Sequence, residues 1–295
     1  MLNRRYIVTG IAAAAGTLAA GRMTAGATSF PDLLAMTFAG LERKSGGSLG
    51  VALFDTRTGA RLDYRAERPF PMCSTVKLLI AGAVLARIDR GADRLDRRIR
   101  VADADLLSHA PVTKGRVGGY GMSLEELCAA AITVSDNTAA NLLLDTIGGP
   151  SGLNAFARSI GDDVTRLDRS EPDLSEALPD DPRDTTTPSM MVADMQALVL
   201  GSALAPTSRA RLVAWLVGNR TGDARLRAGL PKHWRVGDKT GTGGFGTTND
   251  VGIIWPPQRA PFLVAAYLTG SPAPPEERDA TIAAVGRAVA ATLTD

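Results

Sequence analysis

Strand-type and helix-type sequence are segregated in this chain, with strands at both ends and helices in the middle. Near the N-terminus, Val51-Ala52-Leu53-Phe54-Asp55 is a continuous apolar run, Thr58-Gly59 is a turn, and Arg61-Leu62-Asp63-Tyr64-Arg65 reads as the hairpin partner. Three further runs follow Pro231: Arg235 to Thr240, Asp250 to Trp255 and Phe262 to Thr269, parted by glycine or proline turns. Strands that far apart in sequence share one sheet only if the chain leaves the sheet and returns. The expected fold is therefore α/β (α+β): an antiparallel sheet flanked by terminal helices, with an all-α lobe inserted into it. Residues 28–72 together with 219–295 would build the α/β lobe, and 73–218 the inserted lobe.

The helices carry their own start and stop signals. Leu33, Leu34, Met36, Phe38 and Leu41 give an amphipathic helix over Pro31 to Lys44 that stops at Gly46-Gly47. The helix opening near Ser74 is apolar on most sides from Val76 to Ile88, which predicts burial, and Gly91 ends it. Ser123-Leu124-Glu125-Glu126 matches a capping box, with Met122 and Leu127 spaced as a hydrophobic staple. Asn137 to Ile147, Leu153 to Ile160, a helix opened by Thr187-Pro188, and Ser208 to Val217 complete the middle, and Ala280 to Leu293 closes the chain.

Residues 162–186 differ in kind, with nine Asp or Glu residues, three prolines and no periodicity. A long segment of that sort inside a compact domain is usually functional. An Arg169–Asp184 pair would close it into an Ω-type loop.

The first 27 residues read as an export signal: Arg4-Arg5 at the front, an Ala-rich apolar run to Ala20, and small residues at Ala25-Gly26-Ala27. The adjacent arginines resemble a twin-arginine signal, so a periplasmic or secreted protein without a lasting membrane attachment is expected. Setting aside Arg4, Arg5 and Arg22 leaves 30 basic against 31 acidic residues, a balance that gives no reason to expect nucleic acid as a partner. Two histidines and two scattered cysteines supply no zinc-type ligand spacing, so no metal or other cofactor is expected. Cys73 and Cys128 are expected as buried free thiols.

Chemistry enters at Ser74 and Lys77. Three residues apart at a helix start, hydroxyl and amine share a face, so the amine can reach the hydroxyl and activate it as a nucleophile. That string alone is common. Ser135-Asp136-Asn137 between two helices, Glu171 in the irregular loop, and Lys239-Thr240-Gly241 in a late strand follow it in order, about 61, 36 and 68 residues apart. The ordered set is far more specific than any one of its members.

This set resembles that of the class A β-lactamases and penicillin-binding proteins, and the resemblance covers nearly the whole chain from about Pro31. It implies an active site between the lobes, a monomer, β-lactam antibiotics as substrates and mechanism-based inhibitors as ligands. Carried over residue by residue, Ser74 is the acylated nucleophile, Lys77 its activating amine and Ser135 the proton relay to the departing nitrogen. Asn137 would hydrogen-bond the substrate's acylamide. Lys239, Thr240 and Arg225 would bind its carboxylate, and the backbone N–H groups of Ser74 and Thr242 would form the oxyanion hole. Glu171 matches the base that activates water against the acyl ester. It separates a hydrolase from the alternatives, a D,D-peptidase or a penicillin-sensing domain that stays acylated.

Three positions depart from the family pattern. Glu171-Pro172-Asp173-Leu174-Ser175 ends in Ser where Asn is usual, so Ser175 is the expected water-positioning residue with altered reach. Phe245 to Asn249 lacks the arginine many members carry there, and Arg225 matches the other place from which a guanidinium is supplied. Gly243 stands where some carbapenem-hydrolysing members pair a Cys with the residue before the nucleophile, so Cys73 has no such partner. His109 falls in the region of an aromatic-bearing wall at the cleft mouth.

Overall fold

A computed structural model describes residues 30–291 of the chain; the export-signal reading of residues 1–27 lies outside them. In chain order the elements begin with α1 (Phe30–Ser45), β1 (Ser48–Asp55), β2 (Arg61–Tyr64) and β3 (Phe70–Pro71). A 3₁₀ turn over Cys73–Val76 then leads into α2 (Lys77–Asp89), followed by β4 (Arg98–Ile99) and β5 (Met122–Ser123). Next come α3 (Leu124–Thr133), α4 (Asn137–Thr146), α5 (Gly149–Ser159), β6 (Thr185–Thr186), α6 (Pro188–Val199), α7 (Pro206–Val217) and the short α8 (Leu226–Gly229). The chain returns to the sheet with β7 (Arg235–Thr242), β8 (Thr248–Trp255) and β9 (Phe262–Thr269), and ends with α9 (Pro275–Ala291).

The main sheet has the order β2-β1-β9-β8-β7, antiparallel throughout, so strands from both ends of the chain meet at the β1–β9 pair. Alternation along β9 divides the core in two, as the period of two along a strand requires. Leu263, Ala265 and Tyr267 join the larger apolar cluster with α2, α3, α4 and α6. Phe262, Val264, Ala266 and Leu268 join a smaller cluster with Leu34 and Phe38 of α1 and Ile282, Val285 and Val289 of α9. The sheet is thus covered by the terminal helices on one face and by the inserted helices on the other.

Local signals set the helix boundaries. Ser123 Oγ accepts the Glu126 N–H at 3.1 Å while Glu126 Oε2 accepts the Ser123 N–H at 2.8 Å, the reciprocal pair expected of a capping box. Thr187 Oγ1 accepts the Met190 N–H at 3.2 Å with Pro188 in the first helical position. Several boundaries differ from the sequence reading: α5 starts at Gly149 rather than Leu153, and α7 at Pro206 rather than Ser208. The closing helix starts at Pro275 rather than Ala280, because Pro275 and the acidic Glu276 and Glu277 are themselves first-turn residues. Ser74 lies in the 3₁₀ turn preceding α2, not in its first α-helical turn. With three residues per turn, that geometry eclipses positions 74 and 77 and keeps them on one face.

α2 is the central helix: every residue from Lys77 to Ala86 is buried. A lysine in that run needs hydrogen-bond acceptors, since an unpaired buried ammonium is costly. Among the described residues, no helix is long and apolar enough to cross a membrane.

Candidate active site

A cleft of ≈ 340 Å³ opens between β7, the 3₁₀ turn, the loop before α4 and the irregular loop after α5. Its lining includes Ser74, Ser135, Asn137, Glu171, Ser175, Arg225, Thr240 and Thr242, together with His109, Pro172 and Thr221. Side chains from six segments of the chain therefore converge at one place.

Lys77 and Glu171 form the buried centre. Lys77 Nζ lies 3.0 Å from Glu171 Oε1, with side-chain exposures of 0% and 1%. The same amine donates to the Ser135 carbonyl at 2.9 Å, to Ser135 Oγ at 3.2 Å and to Asn137 Oδ1 at 2.5 Å. Burial lowers the Lys77 pKa, and the Glu171 carboxylate opposes that shift. The Ser74 hydroxyl donates to Glu171 Oε1 at 3.2 Å. The amine and the hydroxyl thus converge on a shared carboxylate oxygen, whereas the spacing alone pointed to direct contact. The difference follows from the acceptors that the Ser135–Asn137 loop offers the amine.

Ser135 stands between two amines. Lys239 Nζ donates to Ser135 Oγ at 3.1 Å and to the Thr240 carbonyl at 2.8 Å, and Lys239 is fully buried. Burial first, and the Lys77 charge second, drive its pKa well below the usual lysine value. With Lys77 and Lys239 both donating to it, the Ser135 oxygen has its lone pairs engaged and its own O–H free for the cleft. Ser135 holds a positive φ of 58°, a conformation costing about 1–3 kcal/mol for a non-glycine residue. The neighbouring Asp136 fixes the loop: its carboxylate accepts the N–H groups of Val112, Thr113 and Ala139, each at 2.9 Å, and the Thr113 hydroxyl. His109 adds to it, with Nε2 donating to the Val134 carbonyl at 3.1 Å and its own carbonyl accepting the Asn137 N–H at 2.9 Å.

Glu171 is held from three sides. Ser175 Oγ donates to its Oε2 at 3.1 Å. Asn141 grips its backbone, Nδ2 donating to the Glu171 carbonyl at 2.8 Å and Oδ1 accepting the Glu171 N–H at 3.0 Å. The sequence reading missed Asn141, although it lies one helical turn beyond Asn137 on the same face of α4, the signal that could have found it. Arg169 Nε meets Asp184 Oδ2 at 2.6 Å, and Asp184 Oδ1 accepts the N–H groups of Asp168 and Arg169 at 2.8 and 2.9 Å. The two ends of the loop are joined through that carboxylate.

The end of β7 and the residue that follows it approach the segment around Ser74 because Gly241 and Gly243 have no side chain. A Cβ on Gly241 would lie 2.7 Å from the Met72 carbonyl oxygen, and one on Gly243 would lie 2.6 Å from both Cys73 Sγ and the Ser175 carbonyl oxygen. Cys73 and Cys128 are both free and buried, and burial first, then the Glu171 carboxylate, pushes the Cys73 thiol up to about 12. Arg225 comes from the segment between α7 and α8. Its Nη1 donates to the carbonyls of Gly241 and Asn249, each at 2.8 Å, its Nη2 to Thr242 Oγ1 at 2.7 Å, and its Nε meets Asp279 at 2.7 Å. The Thr242 hydroxyl, having accepted from Arg225, retains its proton for the cleft. Among the described residues, no group of three or more His, Cys, Asp or Glu side chains is placed to hold a metal ion.

Comparison with known proteins identifies relatives of the whole chain. Residues 33–293 match the Beta-lactamase enzyme family. The chain is 47% identical to Beta-lactamase L2 of Stenotrophomonas maltophilia, over 97% of each protein. It is 49% identical to Beta-lactamase CTX-M-8 of Citrobacter amalonaticus, over 85% of this chain and 86% of that one. Among solved structures, an ancestral (GNCA) class A β-lactamase superposes with a TM-score of 0.87 at 62% identity, covering 88% of this chain and 99% of the other.

Proposed function

The chain belongs to the class A β-lactamases, serine hydrolases of the β-lactam amide, and from that premise we propose a role for each residue of the cleft. The observation that carries the proposal is the convergence of the Ser74 hydroxyl and the Lys77 amine on Glu171 Oε1.

In acylation, Ser74 Oγ attacks the lactam carbonyl carbon, and its proton passes to the Lys77–Glu171 centre. The C–N bond breaks, and the Ser135 hydroxyl, oriented by two amines, hands its proton to the departing nitrogen and is recharged from Lys77. A neutral Lys77 is the form that can act as base, and burial favours that form. The backbone N–H groups of Ser74 and Thr242 stabilise the oxyanion, charge that develops only in the transition state. Asn137 holds the acylamide, while Lys239, Thr240 and Arg225 attract the carboxylate, Arg225 partly by orienting Thr242.

In deacylation, Glu171 takes a proton from water as its oxygen attacks the ester carbonyl, and Ser74 leaves with a proton returned to it. Ser175 holds Glu171 Oε2 and shares in placing that water. Its shorter side chain supplies one hydroxyl where the usual Asn supplies an amide. The Ser175→Ala variant should therefore deacylate about tenfold more slowly with acylation little changed, as read from pre-steady-state kinetics; equal deacylation rates would remove Ser175 from the mechanism.

The export-type leader supports a location outside the cytoplasm, where β-lactams meet their targets, without a lasting membrane attachment, and the same reading takes the enzyme as a monomer. β-Lactam antibiotics are its substrates and mechanism-based inhibitors would enter by the same acylation. Digestion and mass mapping after brief exposure to a penicillin test the assignment: the adduct belongs on the Ser74 peptide, and an adduct elsewhere would overturn it.

A further inference from the structure

Behind the carboxylate-binding end of the cleft, a row of polar groups runs from buried Asp238 to Thr240. Asn219 Nδ2 donates to Asp238 Oδ1 at 3.1 Å, which turns the amide oxygen toward Thr221. That oxygen accepts the Thr221 N–H at 3.1 Å and the Thr221 hydroxyl at 2.8 Å. The reversed amide would set its oxygen against a carboxylate and its NH₂ against an N–H, so the orientation is fixed. The Thr221 hydroxyl has one proton, and Asn219 takes it. The 2.5 Å contact between Thr221 Oγ1 and Thr240 Oγ1 therefore carries the proton of Thr240.

In the resting enzyme Thr240 consequently offers the cleft lone pairs and not a donor. We infer that Thr221 is a specificity-determining residue: by accepting the Thr240 proton it imposes a hydrogen-bond exchange on capture of the substrate carboxylate. When the anion arrives, the Thr240 O–H turns to it, and the Thr221 O–H leaves Asn219 to fill the gap. Thr221 and Thr240 act as a two-position hydroxyl pair, and one neutral hydrogen bond is given up each time a carboxylate binds. The inference rests on the carboxylate-binding role proposed above for Thr240.

The test uses a penicillin and its methyl ester with the full chain and four variants, separating KM from kcat. Thr221→Val keeps the shape and removes the acceptor. It should lower KM for the free acid about three- to tenfold at unchanged kcat, the size of one neutral hydrogen bond, and move the ester by less than about twofold. Thr221→Ser should behave as the unmodified enzyme. If Thr221→Val does not fold, Thr221→Ala makes the same measurement. An acid KM that rises or stays constant in both would overturn the inference. Thr240→Val should raise KM for the acid alone; an unchanged value would overturn the role of Thr240 itself, a different failure from that of Thr221.

Discussion

Replacing Glu171 with Gln should lower steady-state turnover about 10³-fold while leaving the enzyme able to acylate, so that a stable penicilloyl adduct accumulates. The substitution keeps the side chain's shape and an oxygen that can still accept from Ser74 and Lys77 at distances near the present 3.2 and 3.0 Å. What it removes is the capacity to take a proton from water. It also removes a negative charge. Burial holds the Lys77 pKa down and the Glu171 carboxylate is the main influence raising it, so the Gln variant should carry an even lower amine pKa. Lys77 would then be neutral at lower pH than before, and the acid limb of the acylation profile should move to lower pH. Rapid-quench kinetics across pH measure both effects. A variant that loses acylation and deacylation together would show that Glu171, not Lys77, takes the Ser74 proton.

Asp184→Ala should have the largest effect on the loop. Asp184 is 1% exposed and is the acceptor for two backbone N–H groups as well as for Arg169. Removing it orphans both amides and leaves a partly buried guanidinium with only Glu176 and Asp181 nearby. The expected cost is about 2–4 kcal/mol, which for a chain of this size lowers the melting temperature by about 5–12 °C. Arg169→Ala should cost less, because the backbone bonds to Asp184 survive it. The loop positions Glu171 and not Ser74, so deacylation should suffer more than acylation. Calorimetry gives the first quantity and burst amplitudes the second; equal loss of both chemical steps would mean that the variant disturbs the whole cleft.

Much of this arrangement is legible in the sequence because it rests on local rules. The capping box at Ser123, the Thr187-Pro188 start and the period of two along Phe262 to Thr269 each state their structure in a few residues. The segregation of strands to the two ends of the chain then forces a return to a single sheet. The ordered motifs carry the site, since Ser74, Lys77, Ser135, Glu171 and Lys239 supply hydroxyls, amines and a carboxylate whose combination has few other uses.

The missing parts are those decided by distance across the fold. No local rule says that the Lys77 amine turns to Asn137 and Glu171 once Ser135 and its neighbours curl over it. Asn141 is an ordinary helical residue until the loop backbone at Glu171 lies within reach of its amide. Thr221 and Asn219 sit in a polar connection with no motif, and their role comes from β7 passing alongside. Gly241 is legible as part of its strand motif, but the need of Gly241 and Gly243 to clear Met72, Cys73 and Ser175 depends on packing between segments about 70 to 170 positions apart.

The central claim is that Glu171 removes the acyl group that Ser74 accepts. Intact-mass spectra taken over time after adding a limiting penicillin to the unmodified enzyme and to Glu171→Gln test it most directly. The account predicts that the unmodified enzyme returns to its free mass once substrate is consumed, while the variant keeps one adduct per chain. An unmodified enzyme that stays acylated, or a Glu171→Gln variant that clears its adduct as fast as the parent, would contradict it.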